Sequence, residues 1–320
     1  MATEQPDAHL TARDFQSTQI NDWCAGCGDH GILRSLENAL ALLERSSDEV
    51  VIFGGIGCSG KTPYYLNSYG VHTLHGRLLP YAMGAKLANP DLTVIAVGGD
   101  GDGLSIGAGH FVNAGRRNVD MTYILFNNGV YGLTKGQGSP TLRQGEQTRS
   151  MPQGNMQRHV NPVLLALTSG YTWVGRGYAY DVKMLTRLIV EAVRHPGIAC
   201  LDVLQPCPVY NDLYTKEWYG KRIYSLQAEG HDPVISGSGD EGEKREKREK
   251  REQAMIRAQE WGERIPVGIF LQDVSQPQFL EQIAGRQPQY LNNPPASRPV
   301  ADDTGRPLAD MRQLFAELEV

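Results

Sequence analysis

The sequence predicts an α/β protein, a parallel sheet with helices on both faces. Three observations predict it. Apolar runs of strand length recur, each ending in glycine or a single polar residue: Glu49-Val-Val-Ile-Phe-Gly-Gly, Thr93-Val-Ile-Ala-Val-Gly-Gly, Met121-Thr-Tyr-Ile-Leu-Phe-Asn and Gly197-Ile-Ala-Cys-Leu-Asp-Val-Leu204. Segments of helical periodicity separate them. Asp100 and Asn128, which follow two of the runs, stand 28 positions apart, about one strand–helix–strand unit. Both then open on one sheet edge, where open α/β sheets hold ligands.

Taken in order, residues 1–20 read as an irregular N-terminal arm. Asp29 is the expected N-cap of a helix whose Ile32, Leu33, Leu36, Leu40 and Leu43 share a face. The run from Glu49 is a buried strand, and Ile56-Gly-Cys-Ser-Gly-Lys61 is the loop after it. Leu79–Ala88 is a small-residue helix suited to close packing on a sheet. Thr93–Val97 and Met121–Phe126 are strands, with a helix near Ala108–Ala114 between them. Asn161–Thr168 is helical, Thr172–Gly175 a short strand and Val182–Arg194 an amphipathic helix. Gly197–Leu204 is a further buried strand, ending at Gln205-Pro-Cys207-Pro.

Residues 21–230 thus form the principal domain. Residues 231–253 read as a charged low-complexity linker. Within them, Ser236-Gly-Ser-Gly-Asp-Glu-Gly is linker-like. The repeat Glu243–Glu252 carries acid and base at i, i+4 and reads as a solvated helix without a role of its own. Residues 254–320 form a C-terminal segment and tail. Val267–Leu271 is a last strand or a surface segment. Residues 285–305, rich in Pro, Gln and Asn, are expected to lie extended on a partner or to stay without order.

The net charge of −5 argues against nucleic acid or an anionic membrane as the main partner. No apolar run approaches the roughly 20 residues of a spanning helix, and the N-terminus lacks the apolar core of a signal peptide. The expected location is the cytoplasm. There, five cysteines are not a disulfide framework but metal ligands, catalytic groups or core residues.

The glycine-rich strand ends suggest a site. Asp100 and Asn128 offer hard oxygen ligands, which suit Mg²⁺ held together with a phosphate-bearing ligand. The glycines let backbone N–H groups approach those phosphates. The cysteines suggest a second centre. Cys24 and Cys27 form a C-x-x-C, Cys58 sits in a glycine loop and Cys207 lies between prolines, whereas Cys200 falls inside an apolar strand and reads as core. Four thiolates at loop positions suit Zn²⁺ or an iron–sulfur cluster. Their dispersal over strand ends favours the cluster, because structural zinc usually uses two close knuckles.

Two other readings of the glycines compete. Gly99-Asp-Gly-Asp-Gly103 lacks the third glycine of a dinucleotide fingerprint, and Asp120 precedes its strand instead of ending it. Gly55-Ile-Gly-Cys-Ser-Gly60-Lys61-Thr62 fits the spacing of a nucleotide-binding P-loop. Pro63, however, disfavours a helical start at Thr62, and Cys58 is left unexplained. A nucleotide hydrolase with a structural four-cysteine zinc site is the alternative.

Trp23-Cys-Ala-Gly-Cys-Gly28, Gly55-Ile-Gly-Cys-Ser-Gly60, His75-Gly-Arg77, Gly99-Asp-Gly-Asp-Gly103, Arg116-Arg-Asn118 and Asn127-Asn-Gly-Val-Tyr-Gly-Leu-Thr-Lys-Gly-Gln137 occur in this order, followed by Cys207. Together they resemble the β subunit of the 2-oxoacid:ferredoxin oxidoreductases, most nearly the 2-oxoglutarate type. The resemblance covers about residues 14–225 and part of 254–283. It implies the diphosphate-binding half of a thiamine diphosphate fold, with a C-terminal extension. It implies Mg²⁺ on Asp100, Asn128 and the Val130 carbonyl. Ile56, Gly57, Cys58, Ser59, His75, Gly76, Arg77, Gly101, Asp102, Gly132 and Leu133 would surround thiamine diphosphate. Cys24, Cys27, Cys58 and Cys207 would hold one 4Fe–4S cluster. The implied chemistry is oxidative decarboxylation of a 2-oxo acid, with coenzyme A taking the acyl group and ferredoxin the electrons. Lys61 and Lys135 would contact substrate or coenzyme A. Lys135 stands where pyruvate-type members have a small residue. His110 and Asn113 depart from the family's usual helix pattern. The residues resemble neither the half-site that activates the aminopyrimidine nor an internal two-cluster ferredoxin. An α subunit is therefore expected to complete the site, in an (αβ)₂ assembly.

Overall fold

The computed structural model describes residues 9–237, 240–308, 312, 315 and 316. Along the chain run α1 (Gly28–Leu42), β1 (Val50–Gly54), α2 (Thr62–Tyr65), β2 (Tyr69–His72), α3 (Leu78–Ala88), β3 (Thr93–Gly99), α4 (Ala108–Arg117) and β4 (Met121–Asn127). Next come β5 (Val130–Tyr131), β6 (Gln137–Gly138), α5 (Pro162–Ser169), β7 (Trp173–Tyr178), α6 (Val182–Arg194), β8 (Ile198–Leu204) and α7 (Lys216–Gly220). The last are β9 (Ile223–Ser225), β10 (Val234–Ile235), α8 (Glu241–Ala258), β11 (Ile265–Asp273) and α9 (Phe279–Arg286).

The main sheet runs β10-β11-β7-β8-β4-β3-β1-β2, with β9 beside β11. From β2 to β7 every pairing is parallel, and β11 joins β7 antiparallel. The central strands are mostly apolar because both faces are covered, with the buried Arg176–Asp202 pair of β7 and β8 as an exception, whereas the edge strand β2 is largely exposed. Their alternation sorts the core. Val51, Phe53, Val94 and Ala96 point to one face with residues of α3, α4, α5 and α8. Val50, Ile52, Ile95 and Val97 point to the other, with residues of α1 and α6.

Register brings the active edge into line. Gly54 pairs with Val97, Gly99 with Phe126, and Asn127 with Leu204. The carboxyl ends of β1, β3, β4 and β8 therefore deliver Cys58, Asp100, Asn128 and Cys207 to one rim. The chain leaves β1 for β2 on one side and returns to β3 on the other, so β1 and β3 flank a topological switch point.

Several expectations need correction. Asp29 is not the N-cap of α1: Cys27 holds that position, and Asp29 is buried in the first turn. Of the two readings of Val267–Leu271 the strand holds, within the longer, almost wholly buried β11. The charged repeat is helical, as α8, but not merely solvated. Its Lys247 and Arg251 each reach the buried Asp273 at 2.9 Å, Lys250 reaches Asp232 at 2.8 Å, and Ala254 and Ala258 are buried. The tail near residue 290 lies on this chain's own α3, where Tyr290 Oη donates to the Leu87 carbonyl at 2.6 Å. The N-terminal arm is irregular but tethered by the buried Phe15. Among the described residues no helix is long and apolar enough to cross a membrane.

Candidate active site at the sheet edge

Two cavities meet at the rim. The first, of about 230 Å³, is lined by Ile56, Gly57, Cys58, Ser59, His75, Gly99, Asp100, Gly101, Asp102, Asn128, Val130, Tyr131, Gly132, Leu133 and Thr134. Two carboxylates build it, and they do different work.

Asp100 follows β3 directly and is buried. Its Oδ2 accepts the Gly129 N–H at 2.9 Å, the Ser139 hydroxyl at 2.5 Å and the Thr141 hydroxyl. Its Oδ1 receives only the adjacent Gly101 N–H, at 3.1 Å. One oxygen is therefore fixed by the fold, and the other is left for a cation. Burial raises the Asp100 pKa despite these hydrogen bonds, so a metal ion would offset a real cost of ionisation. Asn128 Oδ1 accepts the Val130 N–H at 3.0 Å, and both residues line the same cavity as Asp100.

Asp102 opens a π-helical turn over Asp102–Ile106. Its Oδ1 gathers three donors from two loops: the Ile56 N–H at 3.1 Å, His75 Nδ1 at 2.7 Å and the Gly76 N–H at 2.8 Å. Asp102, just after β3, therefore ties the β1 and β2 loops together and to its own strand across the switch point. The carboxylate acceptor assigns the proton to Nδ1 and leaves His75 Nε2 free to meet a ligand. Gly55 is required beside it, because a Cβ there would sit 2.2 Å from Asp102 Oδ2. Ser59 Oγ and Asp102 Oδ2 are buried without a protein hydrogen-bond partner. An unpaired buried hydroxyl in a glycine-rich loop suits a phosphate oxygen.

The second cavity, of about 210 Å³, is lined by Cys24, Cys27, Cys58 and Cys207, with Asp22, Trp23, Asp29, Lys61 and Gln205 among the others. It shares Cys58, Asn128, Gly132 and Leu133 with the first. A Cβ on Gly132 would lie 3.2 Å from Cys58 Sγ, so this glycine keeps the common wall thin. Trp23 Nε1 donates to the Cys58 carbonyl at 2.8 Å, and Trp23, Tyr65 and Cys27 pack as a small apolar cluster. Burial pushes the Cys58 thiol up to about 12 and raises Cys27 and Cys207 as well. Redox-active C-x-x-C pairs show the opposite shift. Among the described residues, no three His, Cys, Asp or Glu side chains are grouped so as to hold a single metal ion. Cys200 is buried within β8, apart from this cavity.

Other predicted residues lie elsewhere. Gly76 acts through its N–H to Asp102, and the Arg77 guanidinium turns to His110 Nε2 at 2.6 Å; neither lines the first cavity. Lys61 pairs with Asp22 at 2.7 Å, on the cysteine side. The P-loop reading fails geometrically. Thr62 does start a helix despite Pro63, but α2 is four residues long. Lys135 is exposed, lines neither cavity and has a left-handed φ of 77°. Sequence reasoning missed Ser139, Thr141, Tyr131 and Gln205. Only a question about donors for a buried strand-end carboxylate would have led to the two hydroxyls.

Comparison with known proteins settles the relationship. Residues 55–203 match the family described as thiamine pyrophosphate enzyme, C-terminal TPP binding domain. Residues 207–287 match the family that describes the C-terminal part of the pyruvate ferredoxin oxidoreductase β chain. A 2-oxoacid:ferredoxin oxidoreductase subunit beta of Saccharolobus solfataricus is 50% identical over 94% of this chain and 97% of its own length. The chain belongs to the β subunits of the 2-oxoacid:ferredoxin oxidoreductases. A second relative, subunit beta of oxidoreductase 1 of Aeropyrum pernix, is 47% identical over 94% of each chain. The solved 2-oxoglutarate:ferredoxin oxidoreductase from Magnetococcus marinus, with 2-oxoglutarate, coenzyme A and succinyl-CoA bound, is 34% identical, with a TM-score of 0.78 and 97% of both chains covered. The fold is thus that of a thiamine diphosphate enzyme, and a β subunit implies an α partner.

Proposed function

We propose that this β subunit, joined to its α subunit in an (αβ)₂ complex, serves the coenzyme A-dependent oxidative decarboxylation of a 2-oxo acid, chiefly 2-oxoglutarate. The products would be the acyl-CoA, CO₂ and two reduced ferredoxins. The observation that carries this reading is the wall shared by the two cavities, with Cys58 in both. Only a reaction that moves electrons from one ligand to the other needs that adjacency.

Asp100 Oδ1, Asn128 Oδ1 and the Val130 carbonyl would hold Mg²⁺. The Ser59 hydroxyl, His75 Nε2 and the loop amides would hold the diphosphate. Cys24, Cys27, Cys58 and Cys207 would hold a 4Fe–4S cluster; their spread over separate loops around one cavity supports a cluster over a lone zinc ion. When bound, thiamine diphosphate supplies an electron sink for decarboxylation and the cluster supplies one-electron transfer. The chain's own part is to bind, orient and shield. Asp102 holds His75 with Nε2 toward the cavity, and Tyr131 covers Gly101, where a Cβ would meet its ring at 2.2 Å. The α subunit would bring the carboxylate that activates the aminopyrimidine. A cytoplasmic location fits five cysteines that are all unpaired.

The α and β chains, purified together without oxygen, should reduce ferredoxin on addition of 2-oxoglutarate and coenzyme A. No reduction with any 2-oxo acid would end this reading. Lys135 sharpens the substrate. A lysine at φ 77° costs roughly 1 kcal/mol that glycine would not, so its cation is retained at some expense. Lys135→Gly should relax the backbone yet lower kcat/KM for 2-oxoglutarate about tenfold more than for pyruvate, as loss of one charge contact predicts. Equal losses would instead assign Lys135 to coenzyme A.

A further inference from the structure

Gln205 lines the second cavity, directly after β8, touches Asn128 of the shared wall, and is almost fully buried. Its Nε2 donates to the Pro206 carbonyl at 2.8 Å and reaches Cys27 Sγ at 3.3 Å. Its Oε1 accepts from Asn128 Nδ2 at 2.7 Å. The Pro206 carbonyl can only accept, so the amide orientation of Gln205 is fixed. That in turn fixes Asn128: its NH₂ must face Gln205, so its Oδ1 points away from Gln205, where it accepts the Val130 N–H. The backbone holds Gln205 in place as well. A Cβ on Gly28 would lie 2.9 Å from Gln205 Cγ, so the glycine after Cys27 admits this side chain against α1.

We propose that Gln205 is a positioning residue for both centres at once, resting on the function proposed above. One end of its amide donates N–H to the Cys27 sulfur. The other end turns the Asn128 oxygen toward Mg²⁺. A hydrogen bond to a cluster thiolate stabilises the more negative, reduced state and raises the cluster potential. The same side chain then keeps the metal ligand of the diphosphate site in its binding rotamer. No other residue joins a cysteine of the second cavity to a predicted metal ligand of the first through its own side chain among the described contacts.

The test uses the αβ holoenzyme purified anaerobically, in wild-type form and as Gln205→Met and Gln205→Glu. Methionine keeps length and apolar volume but has neither donor nor acceptor. It should retain full iron and sulfide content, lower the cluster midpoint potential by about 59 mV, a tenfold change in the one-electron equilibrium, and weaken Mg²⁺–thiamine diphosphate binding about tenfold. Glutamate keeps an acceptor for Asn128 and should restore cofactor affinity to within about twofold of wild type. A methionine variant with full cluster content but unchanged potential and affinity overturns the role of Gln205 and leaves the proposed function standing. Wild-type enzyme without iron and sulfide overturns both.

Discussion

Around the diphosphate cavity, three protein donors hold each of Asp100 Oδ2 and Asp102 Oδ1, and two hydroxyls and four backbone amides converge there before any ligand enters. Around the cysteine cavity the balance differs. Burial raises the thiols of Cys27, Cys58 and Cys207, and the neighbouring carboxylate of Asp29 is itself pushed up to about 7 by burial, with neither oxygen paired. The first cavity is charged, rigid and preorganised. The second is a nest of thiols that the proposed metal centre would have to deprotonate. The comparison teaches that adjacency does not require common construction. One site is ready for reversible binding, and the other would be completed by the cluster proposed for it.

The largest effects should separate the two. Cys207→Ser should abolish the cluster, read as loss of iron and sulfide, yet leave Mg²⁺–thiamine diphosphate affinity within about threefold of wild type. Cys58→Ser should damage both, because Cys58 lines both cavities. If Cys207→Ser also lost the cofactor, the two would be one cooperative structure and the comparison would break. Asp100→Ala should reverse the pattern, with cofactor affinity down by more than about a hundredfold and iron content unchanged. Ser139→Ala should cost about tenfold in affinity by calorimetry, the smaller loss typical of a partner that only holds a metal ligand.

The two regions are not equally legible in the sequence. Strands announce themselves as apolar runs, because a parallel sheet buried on both faces leaves few polar positions, here chiefly the paired Arg176 and Asp202. Asp100, Asn128, Cys58 and Cys207 are readable for the same reason: they follow strands directly or within a few residues, and register carries strand ends to one rim. What is illegible depends on chain far from any strand. Ser139 and Thr141 reach Asp100 from a loop 39 and 41 positions on, with no periodic pattern to mark it. The charged repeat misleads in another way. Alternating charges hide the face that answers Asp273, since a buried carboxylate on β11 leaves no mark in α8 itself. Asp29 looks like a cap by residue type, but the helix starts two residues earlier, with Cys27 at the cap and the Gly28 N–H donating to the Pro206 carbonyl at 3.1 Å.

The smallest effect on either cavity should come from the opposite end of the sheet. His195 is buried between α6 and β8, with Nε2 at 2.8 Å from Thr172 Oγ1 and Nδ1 unpaired. Burial lowers its pKa from 6.5 to about 4, against a smaller opposing pull from Asp120 and Asp273. A depressed histidine favours the folded state above the unfolded value. As pH falls from about 6.5 towards 4, the unfolded chain takes up a proton that the folded chain refuses, and stability is lost. The loss is about 3 kcal/mol at most. His195→Gln should therefore flatten the fall in urea midpoint between about pH 7 and pH 4.5. At neutral pH it should leave iron content and thiamine diphosphate affinity unchanged. A change in either at neutral pH would mean that the far edge of the sheet communicates with the rim, and that the two cavities are less self-contained than their geometry implies.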